Sequence, residues 1–435
     1  MNKWFSSMTL FSSVQWLFFI FANTVMVPIS VANVFHLPPE TMAMMLRMSL
    51  IFTGLASIFQ GWKGHRYPLI EGHSGLLWGL ILNLGLSASS LGMSLTTIGG
   101  GIATGVLLAS LVTIILALFN GIPLLKSIFN PMVMSVYLFL LTFQLVLIFS
   151  KGMLKVTEHG TIDVPVSLFS IGLVVFVILL KIKGNKAISN FSILIGLIVG
   201  WVFYDLLFMD SVAKVTSSAS VAFTLFPLGK PNLEIGIVVV AFFAGLMNLS
   251  NTFSAINAGE RVFHRKTGNK EYRFSIFISA LFTVVGAGFG LVPYSPFASA
   301  IGFLQSTRIL DRKPFYIGGA LLTIIGLIPQ MGSFLATMPV TVGDAVLFVA
   351  YLQLFGTAFS SLNGKVFNSN TIFRLAIPVL VGISLMNITP SLFSNLPILV
   401  QPFISNGLIM GVLLSIILEK VVNWSSMEQI ELKNS

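Results

Sequence analysis

"YPLIEGHSGLLWG", residues 67–79, sets a carboxyl, Glu71, and an imidazole, His73, two positions apart among apolar neighbours. The runs on either side are long and apolar enough to cross a hydrocarbon core of about 30 Å as helices. The stretch therefore lies in a span, yet it opens on Pro68 and carries too many small and polar residues for a plain lipid-facing helix. Interrupted backbone is tolerated at that depth only where it lines a cavity or is buried in protein. The chain must therefore supply something for the interruption to pair with.

Composition agrees with that placement. The 435 residues are 55% hydrophobic and 9% charged, with a mean hydropathy of +0.95, against the roughly 25% charged content of a soluble domain. The first apolar run, "SSVQWLFFIFANTVMVPIS", follows Lys3 closely but is too long for a secretion signal and lacks a small-x-small cleavage site, so it reads as the first span. With no cysteine, disulfides, iron–sulfur clusters and thiolate metal sites are excluded. No HExxH, phosphate-loop or nucleophile-elbow pattern occurs, which argues against an enzyme. "GAGFG" at 286–290 follows no strand and reads as close helix packing.

Hydropathy and helix breakers predict an all-α polytopic membrane protein of about 14 transmembrane segments, near residues 8–30, 43–61, 68–88, 95–118, 131–150, 165–181, 190–209, 233–257, 273–290, 294–307, 315–337, 339–362, 371–388 and 399–419. With the N-terminus cytoplasmic, 19 of the 24 lysines and arginines fall on inside connections; Arg47, Lys151, Lys155, Lys214 and Lys230 fall outside. That asymmetry predicts both termini in the cytoplasm. It also accounts for the net charge of +10 without nucleic acid, because the charges are scattered over short loops and form no basic stripe.

The third and tenth spans share a form. "PLIEGHSG" begins at Pro68 and "PYSPFASA" at Pro293, and each has a serine six residues on, Ser74 and Ser299. The first and eighth spans share "FANTV" around Asn23 and "LSNTF" around Asn251. Pro68 and Pro293 are 225 residues apart, and Asn23 and Asn251 are 228 apart. Similar offsets in the same order predict a duplication of seven spans, and an odd number inverts the second copy. Chance matches among common membrane residues are the plainer reading; paired interruptions at matching positions favour the repeat and point to a midplane binding site.

Intramembrane polar residues are the candidates for function. Glu71 is either a cap for exposed backbone donors at the break or a desolvated carboxyl able to exchange a proton. His73 would share its face on a strand and reads as its partner. Asn248, Asn251 and Thr252 in "GLMNLSNTFSAINAG" fall at i, i+3 and i+4, on one helix face. Carboxamides both donate and accept, which suits a neutral heterocycle with alternating carbonyl and N–H groups. Polar glue between helices is the alternative. Asp205 and Asp344, near span ends, read as interfacial.

Three stretches carry a family resemblance: "QWLFFIFANTVMVP" in the first span, "PLIEGHSG" in the third and "VPYSPFASAIGFLQSTRI" in the tenth. Together they resemble the nucleobase-ascorbate transporter family, also called nucleobase-cation symporters of the second type, and most closely its bacterial purine permease branch. Gln15 is kept, with Trp16 where histidine is usual; Gly75 replaces an aromatic; Pro293, Phe297, Gly302 and Thr307 match the tenth-span signature. The resemblance implies a seven-plus-seven inverted repeat with short strands and half-helices in segments 3 and 10. It places a core domain at 1–120 and 233–338 and a gate domain at 121–232 and 339–435. It further implies binding of a base among Asn23, Glu71, His73, Ser74, Gly75, Asn248, Asn251, Thr252, Phe297, Ala298 and Ser299, with no cofactor and no metal.

The sequence departs from the pattern where the eighth span usually has glutamate, here Asn248, and where the tenth has an acidic or amide residue, here Ser299 followed by Ala300. Glu71 is then the obvious acid for proton coupling. The expected function is a nucleobase permease of the plasma membrane, for purines and with xanthine or uracil as candidates, driven by protons and open to a homodimer through the gate domain. The alternatives are an anion transporter of the same architecture, in which half-helix N-termini attract sulfate or bicarbonate, and a membrane protein that binds a base without moving it.

Overall fold

The computed structural model describes residues 7–119, 121, 123, 127–155, 161–208, 224–297, 300–362, 366–393, 395–397 and 400–424. The first apolar span is two helices, α1 (Ser7–Ala22) and α2 (Met26–Val34). At the break the side chains of Asn23 and Thr24 donate back to the carbonyls of Phe19 and Ile20 at 2.8 and 2.7 Å, a local bonding that disturbs helices. Helix α3 (Pro39–Trp62) follows and leads to strand β1 (Glu71–His73) and helix α4 (Gly75–Leu86). Then come α5 (Leu95–Leu118), α6 (Pro131–Met153), α7 (Val164–Lys183) and α8 (Lys186–Leu207). Short polar residues start these helices: Ser94, Asn130, Asp163 and Asn185 each accept first-turn N–H groups.

The second half repeats the sequence of forms. Helices α9 (Ile235–Met247) and α10 (Leu249–Phe263) meet at Asn248; α11 (Asn269–Gly288) leads to strand β2 (Tyr294–Pro296) and helix α12 (Ala300–Thr307). Helix α13 (Arg312–Leu327) is followed by α14 (Pro329–Leu335), α15 (Val340–Ser360), α16 (Ser369–Met386), α17 (Gln401–Ile404) and α18 (Gly407–Val421). Among the described residues, seven helices are long and apolar enough to cross a membrane, or eight if one bent pair counts as a single span. The chain is thus a multi-pass membrane protein.

Some expected spans are corrected. The one drawn continuously over 315–337 breaks, α14 leaving α13 at 89°. Pro329 opens α14, lacks an N–H to continue the ladder and forces Ile328 out of helical geometry (ψ 113°). The last span divides likewise, between α17 and an α18 capped by Asn406. Asp344, expected at the interface, is 5% exposed. It lies in the second turn of α15 against α6, where any Cβ on Gly152 would overlap its carboxylate. Gly290 ends the "GAGFG" stretch with φ +69°, closing a tight turn after α11 rather than a ligand loop.

Two sets of helices pack mainly among themselves. In one, α5 lies against α9 and α11, while α13 lies against α1 and α3. In the other, α6 packs on α15, α7 on α8 and α16 on α18. Lipid tails give apolar helices no preference for each other, so close approach depends on small residues. A Cβ on Gly54 of α3 would sit 2.4 Å from the Gly319 carbonyl of α13, and one on Gly105 of α5 would sit 2.5 Å from the Val238 carbonyl of α9. Helix ends are capped across these contacts. Arg47 of α3 donates to Gly326 and Leu327 carbonyls at the end of α13, and Arg273 of α11 donates to Ala117 and Leu118 carbonyls at the end of α5. In the second set, Arg374 grips Glu419 through two bonds of 2.7 Å, with Asn130 adding a third at 3.0 Å.

Gly54→Val drives a branched side chain into the α13 backbone. It is expected to destabilise the protein by about 1–3 kcal/mol and to lower the thermal unfolding midpoint in detergent. Gly172→Ala, inside α7 where a Cβ meets nothing within 4 Å, serves as the control and should not lower the midpoint, alanine being the better helix former.

Candidate functional site

Strands β1 and β2 pair antiparallel, Glu71 opposite Pro296, Gly72 opposite Ser295 and His73 opposite Tyr294. The pairing extends one bond beyond each end: Ser74 N donates to Pro293 O at 2.7 Å, and Phe297 N to Ile70 O at 2.8 Å. Each interrupted segment thus satisfies part of the backbone of the other, and helix side chains take the rest: Ser57 accepts from Glu71 N, Thr283 accepts from Tyr294 N and Asn248 donates to Tyr294 O. Alternation along a strand then sorts the side chains onto two faces.

Glu71 and His73 share one face, turned toward α3 and α11. Glu71 is fully enclosed; its Oε1 accepts from Ser279 Oγ at 2.5 Å, its backbone N–H donates to Ser57 Oγ at 3.0 Å, and among the described residues Oε2 makes no bond of hydrogen-bond geometry. Gln60 lies alongside, donating to Ser279 Oγ and to the Ser275 carbonyl, both at 3.0 Å. His73 Nδ1 faces the Val292 carbonyl at 2.9 Å and Nε2 faces Ser49 Oγ at 2.6 Å. A carbonyl only accepts, so Nδ1 carries the hydrogen and Nε2 accepts from the serine. His73 is therefore held inside the scaffold, its ring 4.9 Å from that of Tyr294.

The opposite face holds Gly72 and Ser295. The Phe297 ring closes over Gly72, where a Cβ would lie 2.9 Å from it. Asn251 reaches this face from α10: its Nδ2 lies 3.0 Å from Asn248 Oδ1 and 3.3 Å from both Ser74 Oγ and Ser295 Oγ. Asn248 Nδ2 donates to the Tyr294 carbonyl at 3.0 Å, and the Tyr137 hydroxyl of α6 donates to Asn251 Oδ1 at 3.0 Å. Ser74 also caps α4, accepting from Leu77 N at 3.4 Å, so a helix N-terminus with its partial positive charge faces the cluster.

Of the residues singled out in the sequence, Ser74, Asn248 and Asn251 meet in one hydrogen-bonded cluster, with Phe297 at its edge. Thr252 faces a cavity of about 30 Å³, roughly one water in size, which Asn248, Ser279 and Thr283 also line. Gly75 begins α4 and faces Leu141 and Leu145 of α6 and Tyr351 of α15. Asn23 bonds within its own helix and joins neither strand by a described bond. Ala298 and Ser299 lie outside the described residues.

Two members of the front cluster went unremarked in the sequence. Ser295 stands out in "PYSPF" only with the strand register, which sets it opposite Gly72; Tyr137, 114 residues from Asn251, left no signal.

Residues 7–391 match a family described as "Permease family". The chain is 27% identical over 423 residues to "Putative purine permease YwdJ" of Bacillus subtilis (strain 168), covering 95% of each chain. It is 23% identical over 420 residues to "Uric acid permease PucJ" of the same organism, covering 93% and 90%, and 22% identical over 424 to "Uric acid transporter UacT" of Escherichia coli (strain K12), covering 94% and 85%. Among solved structures, the transmembrane domain of a cyanobacterium bicarbonate transporter, BicA, superposes with a TM-score of 0.61 at 13% identity, covering 94% of this chain and 96% of that one. SLC26A9 gives 0.64 at 13% identity, covering 94% and 64%. The fold is shared with both.

Asn248→Ala removes the donor from the buried Tyr294 carbonyl and an acceptor from Asn251. Leaving such groups unpaired costs about 1–3 kcal/mol, so the ligand-free protein should unfold at a lower temperature in detergent. An unchanged midpoint would mean that water replaces the carboxamide.

Proposed function

The chain belongs to this permease family, the nucleobase-ascorbate transporters, and on that premise we propose that it carries nucleobases, purines first, across the plasma membrane together with protons. The observation that carries the reading is the neutral cluster of Ser74, Ser295, Asn248 and Asn251 between two interrupted segments. Hydroxyls and carboxamides pair with the mixed N–H and carbonyl edge of a neutral base. The relatives named for uric acid support purines as the class. Beyond the partial positive charge at the α4 N-terminus, no member of the cluster carries a charge to favour an oxoanion over a neutral base; Arg308 stands beyond the far end of α12.

We take the architecture to be a seven-plus-seven inverted repeat. Supporting it, α5 against α9 and α11 has its counterpart in α13 against α1 and α3. The capping arginines Arg47 and Arg273 are 226 residues apart, close to the offsets of the sequence repeats, and each holds the end of the corresponding helix. On this reading residues 1–120 and 233–338 form the core domain, 121–232 and 339–435 form the gate, both termini are cytoplasmic, and two copies pair through the gate.

Glu71 is the proposed proton carrier. Glu71 and Asp344 are the buried carboxyls among the described residues, and only Glu71 stands on the elements that form the cluster. Through Ser279 it touches the lining of the cavity that reaches Asn248 and Thr252, which gives a proton a short polar connection to the front of the sheet.

Cells overproducing the protein should accumulate labelled xanthine, hypoxanthine, guanine or uracil, and an uncoupler should abolish the accumulation. Sulfate or bicarbonate uptake without base uptake would falsify the reading in favour of an anion transporter, and base binding without uptake would favour a receptor. Glu71→Gln mimics the protonated acid. Base exchange across the membrane should persist in this variant while uphill accumulation and its pH dependence are lost; retained, uncoupler-sensitive accumulation would move the proton elsewhere.

A further inference from the structure

The carbonyl of Tyr294 sets the direction of every bond in the front cluster. A backbone carbonyl only accepts, so Asn248 presents its NH2 group there, at 3.0 Å, and turns its Oδ1 to Asn251. Asn251 must answer with Nδ2, at 3.0 Å, which turns its own Oδ1 toward α6, where the Tyr137 hydroxyl donates at 3.0 Å. Reversing either carboxamide would set donor against donor or acceptor against acceptor. The two Nδ2 hydrogens of Asn251 are committed to Asn248 and to a serine, Ser74 or Ser295. Its Oδ1 is the atom of that side chain whose partner comes from a helix of the other packing set.

Tyr137 is 1% exposed and its ring is packed in the core, while Asn251, which accepts from its hydroxyl, is half-buried. An acceptor in such a place costs free energy when it loses its donor. A base docking on the front face of the strand pair carries ring N–H groups and would be a donor of the required kind, and α6 packs chiefly on α15 while α10 packs on β2 and α12, so the Tyr137 bond bridges two groups of helices.

We propose that the Tyr137 hydroxyl and a ring N–H of the transported base alternate on Asn251 Oδ1. Tyr137 is a positioning residue: it holds the acceptor in place while the site is empty and gives it up when a base binds. The proposal rests on the nucleobase reading above. It makes Tyr137 a competitor of the substrate, so removing its hydroxyl tightens binding, opposite in sign to the loss of an ordinary supporting contact.

The test is equilibrium binding of radiolabelled xanthine, hypoxanthine, guanine and uracil to the purified full chain, using wild type, Tyr137→Phe, Asn251→Ala and the double variant. Tyr137→Phe should lower the Kd of the bound base by about 5-fold, the scale of one ordinary hydrogen bond. Asn251→Ala should raise the Kd by at least as much, and the double variant should bind as Asn251→Ala does, because Tyr137 acts only through that oxygen. Weaker or unchanged binding in Tyr137→Phe overturns the proposal, as does an effect of the missing hydroxyl that survives in the Asn251→Ala background. Phenylalanine keeps the ring that fills the position; if that variant nevertheless fails to fold, unaltered affinity in Asn251→Ala alone overturns the proposal and weakened affinity supports it. Wild type that binds none of the four bases refutes the nucleobase reading itself, and the competition falls with it.

Discussion

Hydrocarbon offers no water to an unpaired N–H or carbonyl, and most of this architecture follows from that constraint. The segments after Pro68 and Pro293 are extended, and neither can satisfy its backbone alone. Their antiparallel pairing, closed at both ends by Ser74 to Pro293 and Phe297 to Ile70, supplies some of the missing partners from across the chain. Because the two strands are more than 200 residues apart in sequence, the helices around them have to bring both halves to one place. Helices α3 and α11 cover one face of the pair, and α10 meets the other.

The same pairing divides the polar residues by parity. Odd positions of β1, Glu71 and His73, turn toward α3 and α11 and are held by serines of those helices. The even position, Gly72, turns outward and leaves room for Phe297, with Ser295 beside it. The carboxyl therefore sits behind the sheet, while the polar groups on its other face are neutral. In the proposed mechanism the proton and the base occupy opposite faces of one two-stranded sheet, linked through Ser279 and the small cavity behind Asn248 and Thr252.

Glycines and arginines then hold the scaffold in register. Gly54 and Gly105 let backbones approach to distances that no Cβ would fit, and such close contact is how helices associate in lipid. Arg47 and Arg273 satisfy the carbonyls that α13 and α5 leave open at their C-termini. Across the boundary between the packing sets, the Tyr137 bond joins α6 to the front cluster.

Composition and hydropathy alone determined that this is a polytopic membrane protein, because burying so apolar a chain requires lipid. The prolines, small residues and matched offsets at 68 and 293 identified the interrupted segments, since a break in lipid must be paired and pairs repeat. Spacing also gathered Asn248, Asn251 and Thr252 onto one turn of helix, because i, i+3 and i+4 are neighbours in any α-helix. What the sequence left undecided was direction. Glu71 and Asn251 both read as site residues, and only the strand register put them on opposite faces. Asp344 read as interfacial from its place near a span end, and only the packing of α15 on α6 enclosed it. Pro329 read as part of a continuous span, and only the 89° turn revealed the break. Tyr137 carried no signal at all, because a hydrogen bond between residues 114 apart depends on how two helices are brought together, and no local periodicity records that.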